Sequence, residues 1–221
     1  MTKLISRILI VGLGSAGTRH LRLARELFPD SQIKVLQHRT QSTIPQFSDG
    51  CFLTMVEAIQ FAPQIAIIAN PSTFHVNVAQ ELAQAEIHLL IEKPLSSSLE
   101  GVARLIETCK DRKSILMIGY NLRFSPSLQH FRKLLGEGII SSLLSVRCEV
   151  GQYLPSWRPE SDYRQGVSAK KELGGGALLE LSHEIDYIQW IFGKINNLEY
   201  VKPFPYNEVK VQLLYILGIF G

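Results

Sequence analysis

The stretch RILIVGLGSAGTRHLRLA, residues 7–24, decides how the rest of the chain is read. Four apolar residues, Ile8 to Val11, give way to Gly12-x-Gly14-x-x-Gly17, and apolar positions at helical spacing follow. In a strand–turn–helix unit of this kind the first glycine permits the tight turn and the second lets the backbone approach a pyrophosphate. The third lets the helix pack closely on the strand. Amides left free at the start of the helix, together with its dipole, make an anion site. Glycine turns between strand and helix are common, so the pattern takes its weight from standing in the first β-α unit of an alternating chain.

That alternation runs through the first 120 residues. Apolar runs at 8–11, 33–36, 65–69, 88–91 and 115–118 predict buried strands. Helical spacing predicts helices over 16–28, 54–61, 73–84 and 97–112. In the last of these Val102, Leu105, Ile106 and Cys109 share a face, and Ser96 to Ser98 offer capping hydroxyls. The expected class is α/β, a Rossmann-type doubly wound parallel sheet over residues 1–120. After Gly119 come a loop, YNLRFSPS, a helix near 127–135, a strand at 143–150 and an irregular stretch rich in Trp, Pro, Tyr and Arg. A further helix follows Gly174-Gly175-Gly176 and reaches residue 192. Residues 121–221 are therefore expected to form a second, α+β unit.

Composition narrows the function classes. A chain of 221 residues with 46% hydrophobic and 19% charged residues can bury a real core. Its net charge of +3 comes from scattered Lys and Arg, with no basic stripe for nucleic acid. Cys51, Cys109 and Cys148 lack metal-like spacing and read as reduced thiols of a cytoplasmic protein. The apolar part of the N-terminus is too short for a signal peptide and runs into glycines. The C-terminal VQLLYILGIFG has 11 residues, too few to span a bilayer; it reads as a buried strand or an unnatural chain end.

Three further places carry chemistry. The second strand ends in Gln37, His38 and Arg39, with no carboxylate to hold ribose hydroxyls. Arg39 suits the 2′-phosphate of NADP, and equally suits a solvated loop. ANPSTFHVNVA, residues 69–79, and IEKPLSSS, residues 91–98, follow successive strands and fall where the ligand crevice of a doubly wound sheet lies. Lys93, between Glu92 and Pro94, is either an exposed turn lysine or a partly desolvated one able to exchange a proton with a substrate hydroxyl. In GGGALLELSHEIDYIQWIFG, Leu178, Leu181, Ile185, Ile188 and Ile191 can form a buried stripe. Glu180, His183 and Asp186 are three residues apart, so a histidine flanked by carboxylates is expected on one side of the helix. No second histidine or cysteine cluster accompanies them, so no metal site is expected.

The glycine loop, Glu92-Lys93-Pro94 and GGGALLELSHEID together resemble the Gfo/Idh/MocA family of NAD(P)-dependent oxidoreductases, which act mainly on sugars, inositols and related polyols. The resemblance spans residues 7–193, and GQYLPSWRPESDYR is similar to a subgroup associated with surface-sugar and nonulosonic acid biosynthesis. It implies that Lys93 meets nicotinamide and substrate, that the Lys93–Pro94 bond is cis, and that His183 is the acid/base on the substrate alcohol. It further implies a cofactor, NAD or NADP, held by Gly12, Gly14, Ser15, Ala16, Gly17, His38, Arg39, Asn70, Pro71, His75, Glu92, Lys93 and Asn121. Trp157, Tyr163, Arg164, Glu180 and His183 are the implied substrate contacts, and full-length relatives are expected to be homo-oligomers that bind neither nucleic acid nor membrane.

Two departures stand out. Many relatives carry an aspartate four residues before the histidine, where this chain has Glu180 three before it. Relatives also run on for about another domain's worth of sheet, whereas this chain stops at Gly221 and matches nothing beyond about Tyr200. A C-terminally truncated or frame-shifted product with an incomplete second sheet is the resulting expectation. The rival expectation is a cofactor-binding remnant or sensor without turnover, which would keep the glycine loop but would not need Lys93 and His183.

Overall fold

The computed structural model describes residues 4–38, 44–140, 146–151, 156, 162, 164, 166–194 and 211–214. Contacts divide the chain into two compact units, Met1–Gly119 and Tyr120–Gly221. In the first, β1 (Arg7–Val11), α1 (Ser15–Leu27), β2 (Gln32–Leu36), β3 (Cys51–Phe52) and α2 (Met55–Gln60) are followed by β4 (Ile65–Ile68) and α3 (His75–Gln84). Then come β5 (His88–Ile91), α4 (Val102–Asp111) and β6 (Leu116–Ile118). The six strands form one parallel sheet in the order β3-β2-β1-β4-β5-β6. This is the Rossmann strand order, which reverses beside β1 and opens a crevice at the carboxyl ends of β1 and β4.

Alternation along the strands builds the two faces. From β1, Ile8 and Ile10 join Ile33 and Val35 of β2 and take the apolar face of α1, Leu21 and Ala24. Leu9 and Val11 point to the opposite face, where Ala58 of α2, Ala79 and Leu82 of α3 and Leu105 of α4 close over them. Both faces of β1 are therefore enclosed, which is why its sequence reads as an unbroken apolar run. Each such side chain contributes about 1.5–3 kcal/mol by leaving water.

The structure moves several expected boundaries for local reasons. β3 has only two residues, too few to show a period, yet it continues the sheet through Val35↔Cys51 and Leu36↔Phe52. α2 starts after Thr54, whose hydroxyl accepts from the Glu57 amide while the Glu57 carboxylate accepts from the Thr54 amide. α4 starts at Val102 and not near residue 97, because Gly101 sits at φ 73°, outside helical space. The serines expected to cap it instead make a local turn, with the Ser98 amide on the Ser96 hydroxyl at 3.2 Å.

In the second unit a turn of 3-10 helix, Asn121–Phe124, leads into α5 (Pro126–Gly136). Strand β7 (Cys148–Gly151) pairs antiparallel with β8 (Val211–Leu214), Cys148 opposite Leu214. The strand expected from 143 begins at Cys148; residues 141–145 lie outside the described residues. The long helix expected after the glycines is two pieces, α6 (Ala177–Glu180) and α7 (Ser182–Phe192), broken where Leu181 takes φ −98° and ψ 27°. Of the stripe expected to be buried there, Ile188 is enclosed, whereas Leu178 is 44% exposed.

Candidate active site

At the end of β1 the glycines do two separate jobs. Gly12 holds φ +87°, and a Cβ on it would stand 2.9 Å from the Cα of Asn70. Gly17 is pressed so closely against the turn that its Cβ would lie 2.0 Å from the Gly12 carbonyl oxygen. Gly14, the residue that caps α1, faces open space: nothing comes within 4 Å of the position a Cβ would take. No side chain caps this helix and its first turn carries no acid, so the amides from Ser15 to Gly17 remain to serve an anion.

Beside this loop β4 ends in Ala69 and Asn70. The Asn70 side-chain nitrogen and oxygen are both buried with no hydrogen-bond partner among the described residues, as are the hydroxyls of Ser72 and Thr73. Buried polar atoms are ordinarily satisfied. An open cradle of helix amides with an orphaned carboxamide next to it fits the diphosphate and the hydroxyl- and amide-bearing parts of a dinucleotide.

His75, expected to contact the cofactor, is 1% exposed. Its Nε2 lies 2.8 Å from the Asn70 carbonyl oxygen and its Nδ1 3.0 Å from that of Pro94. Burial pushes its pKa below the ordinary value, against the opposing pull of those carbonyls. The ring is thus spent on main chain and braces the Asn70 loop to the Lys93–Pro94 segment, so it acts on the loops and not on a ligand directly. The Lys93–Pro94 peptide is cis.

Glu92 follows β5 and turns toward α1. Its Oε1 lies 2.6 Å from His20 Nε2 and 3.4 Å from Arg19 Nη2, and its Oε2 accepts the Lys93 amide at 3.1 Å. Burial alone would raise its pKa; the hydrogen bond and charge of His20, the Lys93 amide and the Arg19 charge outweigh that and hold it below the usual carboxylate range. Arg19 and His20 were missing from the expected site. The available signal was a histidine three residues after Gly17, close to the buried stripe of Gly17, Leu21 and Ala24.

After β2, Gln37 is buried with its amide on the Phe52 carbonyl, and His38 is exposed. Arg39 lies outside the described residues. In the second unit Asn121 is exposed at the start of its 3-10 turn. Arg123 grips Asp186 with two hydrogen bonds, Nε at 2.8 Å and Nη2 at 2.5 Å. His183 meets Tyr120 edge-on, ring centroids 5.6 Å apart. The one continuous helix expected through Glu180, His183 and Asp186 is therefore corrected to two pieces that meet at Leu181, and Asp186 is committed to Arg123. Arg164 is exposed, its amide on Asp162 Oδ1, while Trp157 and Tyr163 lie outside the described residues. Among the described residues no group of three or more His, Cys, Asp or Glu could hold a metal, and no helix is long and apolar enough to cross a membrane.

Residues 6–120 match the family model described as oxidoreductase family, NAD-binding Rossmann fold, and residues 128–211 match the GFO/IDH/MocA C-terminal domain. The second match extends past residue 193, where the sequence resemblance was expected to end. An uncharacterized oxidoreductase of Synechocystis is 32% identical over 136 residues, 61% of this chain and 36% of that protein. Levoglucosan dehydrogenase of Pseudarthrobacter phenanthrenivorans is 30% identical over 131 residues, 58% of this chain and 33% of that protein. Among solved structures, the WlbA dehydrogenase of Bordetella pertussis, in complex with NADH and UDP-GlcNAcA, superposes with a TM-score of 0.73 at 18% identity, over 96% of this chain and 62% of that one. The chain thus spans about a third of the length of these two curated relatives.

Proposed function

This chain belongs to the Gfo/Idh/MocA oxidoreductase family, and from that premise we propose that it serves as a dehydrogenase or reductase for the hydroxyl or keto carbon of a sugar or sugar derivative. Its first unit is an NAD-binding Rossmann domain, and the cofactor is NAD or NADP. When bound, the nicotinamide supplies the hydride chemistry that side chains lack. The protein's own part is to hold, orient and move a proton.

In this reading the amides of Ser15, Ala16 and Gly17 and the close backbone approach at Gly12 and Gly14 hold the diphosphate. Pro71 shapes the neighbouring loop and Asn70 turns its orphaned carboxamide to the cofactor; His38, Arg39 and Asn121 complete the contacts. Lys93 meets the reacting hydroxyl, and His183 takes its proton in the oxidation direction. Trp157, Tyr163, Arg164 and Glu180 contact the sugar. Residues 1–120 carry the cofactor and residues 121–221 the substrate, with assembly into homo-oligomers. Three unpaired cysteines among the described residues suit the cytoplasm, and surface-sugar biosynthesis is the setting we favour. The sugar-dehydrogenase name of one relative supports the substrate class.

One observation carries the reading: the helix that starts at the open glycine cradle is hydrogen-bonded directly to the residue before Lys93. The test is a fluorescence titration with NADH and NADPH, followed by a screen of inositols, sugars and nucleotide sugars with the tighter cofactor. Binding at a hundredfold over Kd is expected to stabilise the fold by about 2.7 kcal/mol. Lys93→Met is expected to lower turnover about 10²–10⁴-fold, with a far smaller change in cofactor affinity. Equal turnover in parent and variant would defeat the assignment of Lys93, and a melting temperature indifferent to both nucleotides would defeat the whole reading.

A further inference from the structure

We propose that His20 is a positioning residue for Lys93, holding the carboxylate that precedes the lysine against the helix that begins at the glycine loop. The inference rests on the reading that Lys93 meets the substrate. The geometry is specific. Glu92 and His20 are both largely enclosed, their side chains 13% and 17% exposed, and their contact is 2.6 Å. The other carboxylate oxygen takes the Lys93 amide. Glu92 thus uses one oxygen on α1 and the other on the peptide that carries the lysine.

The rest of the segment is fixed by main chain. The Glu92 amide donates to the Ile68 carbonyl at 2.8 Å, and the Gly119 amide donates to that of Ile91 at 2.7 Å. Pro94 is held from the far side by His75. These bonds place the backbone, but none of them decides where the Glu92 carboxylate points. His20 does, and Arg19, 55% exposed and 3.4 Å away, assists from the rim. His20 lies four residues beyond Ala16, about 6 Å along the helix axis at 1.5 Å per residue. One rigid helix therefore sets both the anion cradle and the lysine segment. Without the imidazole the carboxylate is free to turn on the Lys93 ammonium and shield it.

The test uses the full chain and needs no substrate. Trace labelling of amines with acetic anhydride across a pH series, read by peptide mass spectrometry, follows Lys93 with Lys34 and Lys110 as internal references. In His20→Phe the rate of Lys93 labelling at neutral pH is expected to fall several-fold. His20→Gln, which keeps a donor, is expected to restore most of it, and NADH affinity should change little in either. Unchanged Lys93 labelling in a cooperatively melting His20→Phe overturns the proposal, as does an equal change in the Phe and Gln variants. Should His20→Phe not fold, Glu92→Gln decides: the proposal requires an altered Lys93 labelling profile, and an unaltered one overturns it. Because labelling is read without turnover, a Lys93→Met protein as active as its parent would sink the catalytic reading of Lys93 while leaving this result standing.

Discussion

The two units hold their candidate groups by different means. In the first, Asn70, Glu92 and Lys93 follow the ends of strands packed into the core, His75 opens α3, and all are tied by main-chain and partly buried bonds. In the second, every described apolar side chain except Ile188 keeps some exposure, and Phe124, Ile139 and Leu178 are largely open. There the fastening is an ion pair at Arg123–Asp186, the guanidinium of Arg132 over Trp190 at 4.5 Å, and ring contacts such as Phe131 with Phe192. Interactions of that kind bring less stability than an enclosed core. The first unit sets geometry by packing, the second by polar and aromatic contacts at its surface.

The sharpest way to break this contrast is to remove packing from each unit. Leu9→Ala, in the enclosed sheet, is expected to cost about 2–5 kcal/mol in denaturant melts. Leu178→Ala should stay within about 0.5 kcal/mol. Equal losses would mean that the two units are built alike. Next in size is Gly17→Ala. The added methyl meets the Gly12 carbonyl oxygen, and the resulting overpacking is expected to cost about 1–3 kcal/mol. Calorimetric or fluorescence titration should show NADH binding lost as well, since the turn that aims the amides must shift.

A smaller effect is graded by pH. The folded-state pKa values of His75 and Glu92 both lie below their ordinary values. The folded protein therefore resists protons that the unfolded chain accepts, and the stability each group contributes is full above its unfolded pKa. Melting temperature is expected to fall as pH drops below about 6.5, where unfolded histidine titrates, and again below about 4.3, where unfolded glutamate does. Glu92→Gln should weaken the lower step, to which Asp49 and Glu57 also contribute, and change the upper one less. A flat profile would show that the first unit does not depend on these enclosed groups.

How much of this was legible in the sequence follows from the range of the forces involved. The five longer strands and the glycine loop announce themselves locally, because burial within the sheet demands mostly apolar runs and the turn demands glycine. Cys51–Phe52 is a strand only because β2 lies beside it. The start of α4 was misplaced because a backbone angle at Gly101 overruled three serines with capping chemistry. The continuous helix expected through His183 fails at Leu181, where apolar spacing gives no warning. Within the candidate site, Lys93 and the glycines could be picked out by residue type. The partners of Glu92 and His75 could not, since those bonds join residues 72 and 19 positions apart.

The unsatisfied carboxamide of Asn70 has a consequence for evolution and for engineering. A buried amide without partners costs about 1–3 kcal/mol, and that cost is lifted only by something that arrives with matching donors and acceptors. Replacing Asn70 by leucine should accordingly make a sturdier protein that grips its nucleotide less well. Selection for hardiness alone would favour the leucine; the asparagine leaves the fold slightly uncomfortable until its ligand comes.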